Sequence, residues 1–316
     1  MRVEKIYFNA EDGTELFGLL HTSENSADKD VVISTHGMGS NGFKKREDII
    51  AQKLTSNNIA FFTFNNRGNG LVNGVKSNGE KILQGTVFED VEDSYYDLVG
   101  AIKLMINKGY KNIHMQGHSL GSTKTVYTYN KLIKNGEQEL LNKIKSVILL
   151  SLVDVSEVMN YLIHSTQNQN FIKLALQKES EGNSNYIIDT GVPFLPLVSV
   201  KTFLKYYRDN KNIDFAKYTT KGFEFEKLNN IKVPIFMRWG NVNELISLPA
   251  DKLAELMNEK IHNQNKDISY VDGATHNYSG KEDLLAEEIL SFLIGWLVGK
   301  GDGSLFPFCG IWDSLR

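Results

Sequence analysis

The sequence predicts an α/β protein built on one mostly parallel sheet. Three observations carry that expectation. Short apolar runs alternate with amphipathic patterns of helical period up to residue 154, and again from 234 to 298. The runs are rich in β-branched residues, as in Val31-Val32-Ile33-Ser34-Thr35, and suit strands buried on both faces. Between the two alternating stretches lies 155–228, richer in helix-like and aromatic pieces, with Pro193 and Pro196 in its middle.

Residues 3–22 read as two antiparallel strands turned at Asp12-Gly13. The strand 31–35 ends at His36-Gly37, and a helical pattern runs from about Lys44 to Ser56. A strand over 59–64 closes at Asn65-Asn66-Arg67-Gly68-Asn69-Gly70, and a polar, glycine-rich loop leads to Gly85. Val87, Val91, Tyr95, Leu98, Ile102 and Ile106 fall at helical spacing and predict one long helix. Glu89, Asp90, Glu92 and Asp93 sit at its start, where acidic side chains suit the helix dipole and are expected to be solvated. Strands at 112–116 and 146–150 flank a helix beginning near Leu120. The pattern resumes with a strand at 234–240, a helix near 249–262, a strand at 268–271 and a helix near 282–298. The expected organisation is a core of 1–154 and 229–298, a cap inserted at 155–228, and a C-terminal extension at 299–316.

The chain has 316 residues, enough for one large α/β domain with an insertion. A formal charge of −3 gives no electrostatic footprint for nucleic acid or an anionic membrane as partner. Cys309 is the single cysteine, so no intrachain disulfide can form. The N-terminus lacks the apolar core of a signal peptide, and no stretch reaches the roughly 18 apolar residues of a membrane span. A soluble, cytoplasmic protein is expected.

The strongest chemical signal is Gly117-His118-Ser119-Leu120-Gly121, a G-x-S-x-G pattern between a predicted strand and a predicted helix. A nucleophilic serine needs such a strained turn to push its hydroxyl clear of the backbone. Flanking glycines remove the Cβ atoms that would clash there. The next helix aims free N–H groups at the site.

With that pattern in place, the chain resembles the α/β-hydrolase superfamily, in its esterase, lipase and serine-peptidase-like branch. The likeness covers roughly residues 5–298. It implies an α/β-hydrolase fold with an eight-stranded sheet, a Ser–acid–His triad and an oxyanion hole of two backbone amides. His36-Gly37-Met38-Gly39 is similar to the family's oxyanion loop, which makes Met38 and Leu120 the implied amide donors. His36 itself is expected to brace the loop. Asn66-Arg67-Gly68-Asn69-Gly70 resembles a structural corner near the family's site. His276, on the loop after the last predicted strand, takes the general-base position. His21, His114, His164 and His262 read as structural or solvated.

The acid is less regular. The family places it in a Gly-x-x-Asp pattern after the penultimate strand, and here Gly240-Asn241-Val242-Asn243 puts asparagine at that position. Glu244 is next door and is the first choice, its extra methylene compensating the shift by one residue. Asp154, at the end of the preceding strand, is the rival, and a dyad without acid is a third arrangement. The expected activity is a serine hydrolase acting on an ester, thioester or amide of a small-molecule or peptide-like acyl substrate, a carboxylic ester first. Such a site calls for no cofactor and no metal. The same machinery would serve an acyltransferase, and a hydrolase-fold binding protein without turnover is the reading from another class. The cap aromatics Tyr161, Phe171, Tyr186, Phe194, Phe203, Tyr206 and Tyr207 either line an acyl pocket or pack the cap.

Overall fold

In the computed structural model, β1 (Arg2–Asn9) and β2 (Glu15–Thr22) pair antiparallel across the Asp12-Gly13 turn. Residues 1–24, 29–165, 170–192, 195–208 and 210–298 are described; Pro193, Phe194 and the stretch 299–316 lie outside the described residues. The chain continues through β3 (Asp30–Thr35), α1 (Lys45–Thr55) and β4 (Ile59–Asn65), then a small hairpin of β5 (Asn73–Ser77) and β6 (Glu80–Gln84). After α2 (Ser94–Asn107) come β7 (Asn112–His118), α3 (Leu120–Asn135), α4 (Gln138–Lys143) and β8 (Ile144–Leu150). Next are α5 (Val155–Ser165), α6 (Asn170–Ser180), β9 (Ile187–Asp189), β10 (Leu197–Ser199) and α7 (Val200–Tyr207). The final run is α8 (Glu226–Asn229), β11 (Ile235–Val242), α9 (Ala250–Lys260), β12 (Lys266–Thr275) and α10 (Glu282–Val298).

The central sheet has eight strands in the order β1-β2-β4-β3-β7-β8-β11-β12. Only β2 runs against its neighbours, and every pair from β4 to β12 is parallel. Successive side chains of a strand point to opposite faces, and β3 divides its residues accordingly. Val31 and Ile33 join the core under α2 and α3, with Leu98, Ile102 and Val126. Val32 joins the opposite core, with Ile50 and Leu54 of α1 and Leu285 and Ile289 of α10. Helices on both faces explain why these strands read as continuous apolar runs.

The order of the strands fixes where a site can form. From β3 the chain turns one way to β4, then the other way to β7, β8, β11 and β12. In open α/β sheets, ligands sit outside the carboxyl ends of the strands where the direction reverses. Here that point is the gap between the ends of β3 and β7.

Two expectations change. The helix predicted from Val87 begins only at Ser94, because residues 86–93 form two short turns of 3₁₀ helix. Glu89 and Asp90 are extended and break the pattern, and Asp90 Oδ1 caps the second turn, which leads into α2, by accepting from the Glu92 N–H (3.1 Å). The acidic cluster at this point is not a solvated helix start. Glu89 is 1% exposed and pairs with Lys124 of α3, also 1% exposed, at 2.5 Å. Asp90 pairs with Lys205 of α7. The glycine-rich loop also hides the β5–β6 hairpin, turned at Asn78 and Gly79, both at positive φ (50° and 87°).

Within 155–228, residues from Val155 to Ile213 gather in a third cluster with Phe171, Phe203 and Tyr206. Phe215, Tyr218 and Phe225 pack instead into the main core beside Trp239. No helix among the described residues is long and apolar enough to cross a membrane.

The corner at Asn66-Arg67-Gly68 is pinned by charge. Arg67 donates through Nε and Nη2 to Asp97 Oδ1 (2.9 and 2.7 Å) and through Nη1 to Asp12 Oδ2 (2.8 Å). Burial alone would weaken the guanidinium's charge, but Asp97 and Asp12 hold its pKa above the ordinary value. Asp97 is fully buried, so removing its partner strands a charge. Arg67→Met is expected to cost about 3–5 kcal/mol of unfolding free energy, measured by urea denaturation.

Candidate active site

Five strand ends deliver the site. The loop after β3 carries Met38, the turn after β7 carries Ser119, and the segment after β8 carries Ser151 and Asp154. Glu244 comes after β11, and His276 after β12. Parallel strands put all these ends on one edge of the sheet.

The turn at Ser119 is strained. Its φ of 56° and ψ of −127° lie where side-chain-bearing residues are rare, at a cost of about 1–3 kcal/mol. Hydrogen bonds hold it there. The Ser119 N–H donates to Leu150 O (2.8 Å), and the Ser122 hydroxyl donates across Gly117 O and Leu150 O (2.8 and 3.0 Å). Packing closes the turn further. A Cβ on Gly121 would lie 2.1 Å from Thr35 O, and one on Gly117 would lie 2.3 Å from Gly121 O. Only glycine fits either place.

The loop after β3 is pressed against this turn, since a Cβ on Gly37 would lie 2.9 Å from His118 O. Met38 and Leu120 both line the pocket with Ser119 and His276. Leu120 is the first residue of α3, and such N–H groups have no partner within their own helix. His36 braces the loop as expected. Its Nε2 accepts from Asn66 N–H (3.1 Å), so Nδ1 carries the proton and donates to Gly37 O (2.9 Å). Burial, then the charge of Lys124, push its pKa down to about 3 and keep the ring neutral.

Glu244 and His276 come together. Glu244 Oε1 is hydrogen-bonded to His276 Nδ1, and its carboxylate also accepts from Leu245 N–H and Gly240 N–H (both 2.9 Å) and the Ser151 hydroxyl (2.7 Å). Burial pushes this carboxyl up, but the bond to His276 and the donors from Gly240 and Ser151 outweigh it and hold its pKa below the ordinary value. An ionised acceptor at Nδ1 puts the ring proton there and leaves Nε2 with its lone pair. The ring's own backbone is held too, because His118 Nε2–H donates to His276 O (2.7 Å). Asp154, the rival acid, faces elsewhere. Its Oδ1 accepts from the Glu157 N–H and the Ser156 hydroxyl (both 3.0 Å), the pattern of a helix N-cap on α5. Asn243, at the family's usual acid position, takes a left-handed φ of 51° and lines the pocket.

The pocket encloses about 380 Å³. Its apolar wall is Met38, Leu120, Val153, Val155, Val158 and Met159, with Leu245 beyond. The described aromatics among those singled out from the sequence are not in its lining. Phe171, Phe203 and Tyr206 pack inside the third cluster, while Tyr161, Tyr186 and Tyr207 are exposed. Sequence reasoning missed Val155, Val158 and Met159, for which helical spacing on one face of α5 is the available signal. Among the described residues no group of three or more His, Cys, Asp or Glu side chains is placed to hold a metal ion.

No protein-family model and no curated protein matches the sequence. Solved structures do. Est1E from Butyrivibrio proteoclasticus, with ferulic acid bound, aligns with a TM-score of 0.64 at 14% identity, over 92% of this chain and 99% of that one. The α/β hydrolase GrgF from Penicillium sp. sh18 gives 0.63 at 15% identity, over 94% and 98%. A soluble variant of monoglyceride lipase from Saccharomyces cerevisiae, in complex with a substrate analog, gives 0.63 at 16% identity, over 94% and 96%.

Ser151→Ala removes one donor from Glu244 and is expected to raise the pKa of that carboxyl. The stability supplied by the lowered pKa is present above the ordinary carboxyl value of 4.5 and is lost as pH falls through the lower folded value. At pH 7 the variant should therefore unfold about 1–2 kcal/mol more easily. The deficit should close in acid once both proteins hold a protonated Glu244. Carboxyl carbon NMR titration and urea unfolding at two pH values check both points.

Proposed function

The chain has the α/β-hydrolase fold, and we propose that on this fold it is a serine hydrolase. It cleaves an ester of a small acyl substrate through an acyl-enzyme on Ser119, with His276 as general base and Glu244 as the acid. The part of 155–228 that gathers in the third cluster serves as the cap, and Val155, Val158 and Met159 from it line the pocket. The observation that carries the reading is one pocket shared by Ser119, His276, Met38 and Leu120, with Glu244 bonded to the far side of the histidine ring.

Those positions define the chemistry. His276 Nε2 takes the Ser119 proton as Oγ attacks the ester carbonyl. Glu244 keeps the ring in the right tautomer and stabilises the imidazolium that forms. The N–H groups of Met38 and Leu120 receive the developing oxyanion, and one such donor is worth about 3–4 kcal/mol of barrier. The imidazolium then protonates the departing alcohol. Water enters, gives its proton to His276 and releases the acid, restoring the Ser119 hydroxyl. The strained Ser119 backbone supports this role, because strain of this kind persists where the surroundings over-determine it, and such residues cluster at active sites. The likeness to Est1E, with ferulic acid bound, and to a monoglyceride lipase favours esters over other acyl compounds.

A fluorophosphonate probe should label the wild type and leave Ser119→Ala unlabelled. His276→Ala should abolish turnover of p-nitrophenyl esters while retaining the wild-type circular dichroism. Glu244→Gln should lower kcat about 10²–10⁴-fold, and Asp154→Asn much less. A probe that ignores the wild type, or equal losses in the two acid variants, would overturn the assignment.

A further inference from the structure

The pocket is apolar along one wall, yet one lysine lines it. Lys44, just ahead of α1, lines the pocket with Ser40, Asn243 and Asn277. It is the one lysine or arginine among the described residues lining it, and neither aspartate nor glutamate does so. Lys44 is half-buried, and its ammonium makes no ion pair or hydrogen bond with a described residue. Two residues on, Arg46 pairs with Glu47 Oε1 at 2.5 Å; Glu47 Oε2 has no hydrogen-bond partner, and the charge of Glu47 acts on Lys44 without a direct ion pair. Burial, and then the charge of Arg46, hold the Lys44 pKa below the usual lysine range. Burial and Arg46 outweigh the favourable charge of Glu47, and a half-buried cation without a direct ion pair costs free energy unless a further counter-charge is supplied. The side chain caps no helix, since Lys44 makes no cap hydrogen bond to α1.

We infer that the pocket takes a small ester bearing a carboxylate, and that Lys44 pairs with that anion while the ester carbonyl sits at Ser119. The inference rests on the serine-hydrolase reading for the second half of that statement only. A single ammonium matches a monoanion. A phosphate dianion would call for a second cation, and no other lysine or arginine among the described residues lines the pocket. The volume of about 380 Å³ is at the small end of ligand sites, which span about 300–1,000 Å³, and suits a short chain between the two groups. The apolar wall then covers that chain. Lys44 is thereby a specificity-determining residue, choosing among esters by charge.

The test compares p-nitrophenyl monoesters of dicarboxylic acids, from adipic to suberic, with neutral esters of equal length, after subtracting spontaneous hydrolysis. A second arm places the carboxylate on the alcohol side, as in carboxyphenyl esters of neutral acids. In one arm the wild type should favour the anionic ester in kcat/KM by about tenfold, an advantage that shrinks with added salt. In Lys44→Met the ratio of anionic to neutral should fall to about one, and in Lys44→Glu below one. A ratio unmoved by Lys44→Met in both arms overturns the inference. Binding gives a readout that needs no turnover. Monomethyl adipate should bind Ser119→Ala about tenfold more tightly than the Ser119→Ala/Lys44→Met double variant, measured by calorimetry. Equal affinities overturn the inference even in a protein that hydrolyses nothing. Lys44-dependent binding without any ester turnover removes the hydrolase reading and leaves the anion site standing.

Discussion

The turn at Ser119 is the constraint on which the rest of the site depends. Its backbone is held at a φ of 56° by close packing of main chain on main chain, with no room for a Cβ at Gly117 or Gly121. The same closeness brings the loop after β3 against the end of β7, so Met38 and Leu120 share one pocket. Hydrogen bonds from Ser119 and Ser122 to Leu150 tie the turn to β8 as well. A shift at this turn would move the serine, both amides and the pocket floor together.

The histidine side of the site is built from hydrogen bonds rather than from packed backbone. Glu244 spends its acceptors on His276, two backbone N–H groups and Ser151. His276 is held at both ends, by Glu244 on its ring and by His118 on its carbonyl. His118 lies inside the serine motif itself, next to Ser119, so the two halves of the site are coupled through one neutral, buried ring. Burial pushes the pKa of His118 well below the ordinary histidine range, which keeps that coupling in one protonation state.

Much of this was legible in the sequence for physical reasons. A strand buried on both faces is largely apolar, so β3, β4 and the Val147–Leu150 end of β8 announced themselves, while β7 buries His114 and Gln116. A tight strand-to-helix turn needs glycines at fixed places, so Gly117 and Gly121 marked Ser119. The acid was harder, because a one-residue offset can be judged only from where side chains reach. Asn243 takes the left-handed position in that turn, and the longer Glu244 side chain makes contact with His276. Pairings distant in sequence were not legible at all. Glu89 reads as a surface acid until Lys124 is brought against it. The β5–β6 hairpin did have a local signal, Asn78-Gly79, the strongest short turn pair for a hairpin. The surrounding polar, glycine-rich stretch obscured it. Whether the aromatics of 155–228 line the pocket or pack the cap could not be read from the sequence; Phe171 and Phe203 pack edge to face, and smaller Val and Met side chains line the cavity.

The central claim is that Ser119 becomes acylated, and the direct measurement is mass spectrometry of the quenched reaction. Protein mixed with p-nitrophenyl butyrate, stopped in acid within the first turnovers and digested, should carry a butyryl group on the peptide containing Ser119 and on no other. Ester turnover with that peptide unmodified, or the acyl group on another residue, would contradict the account.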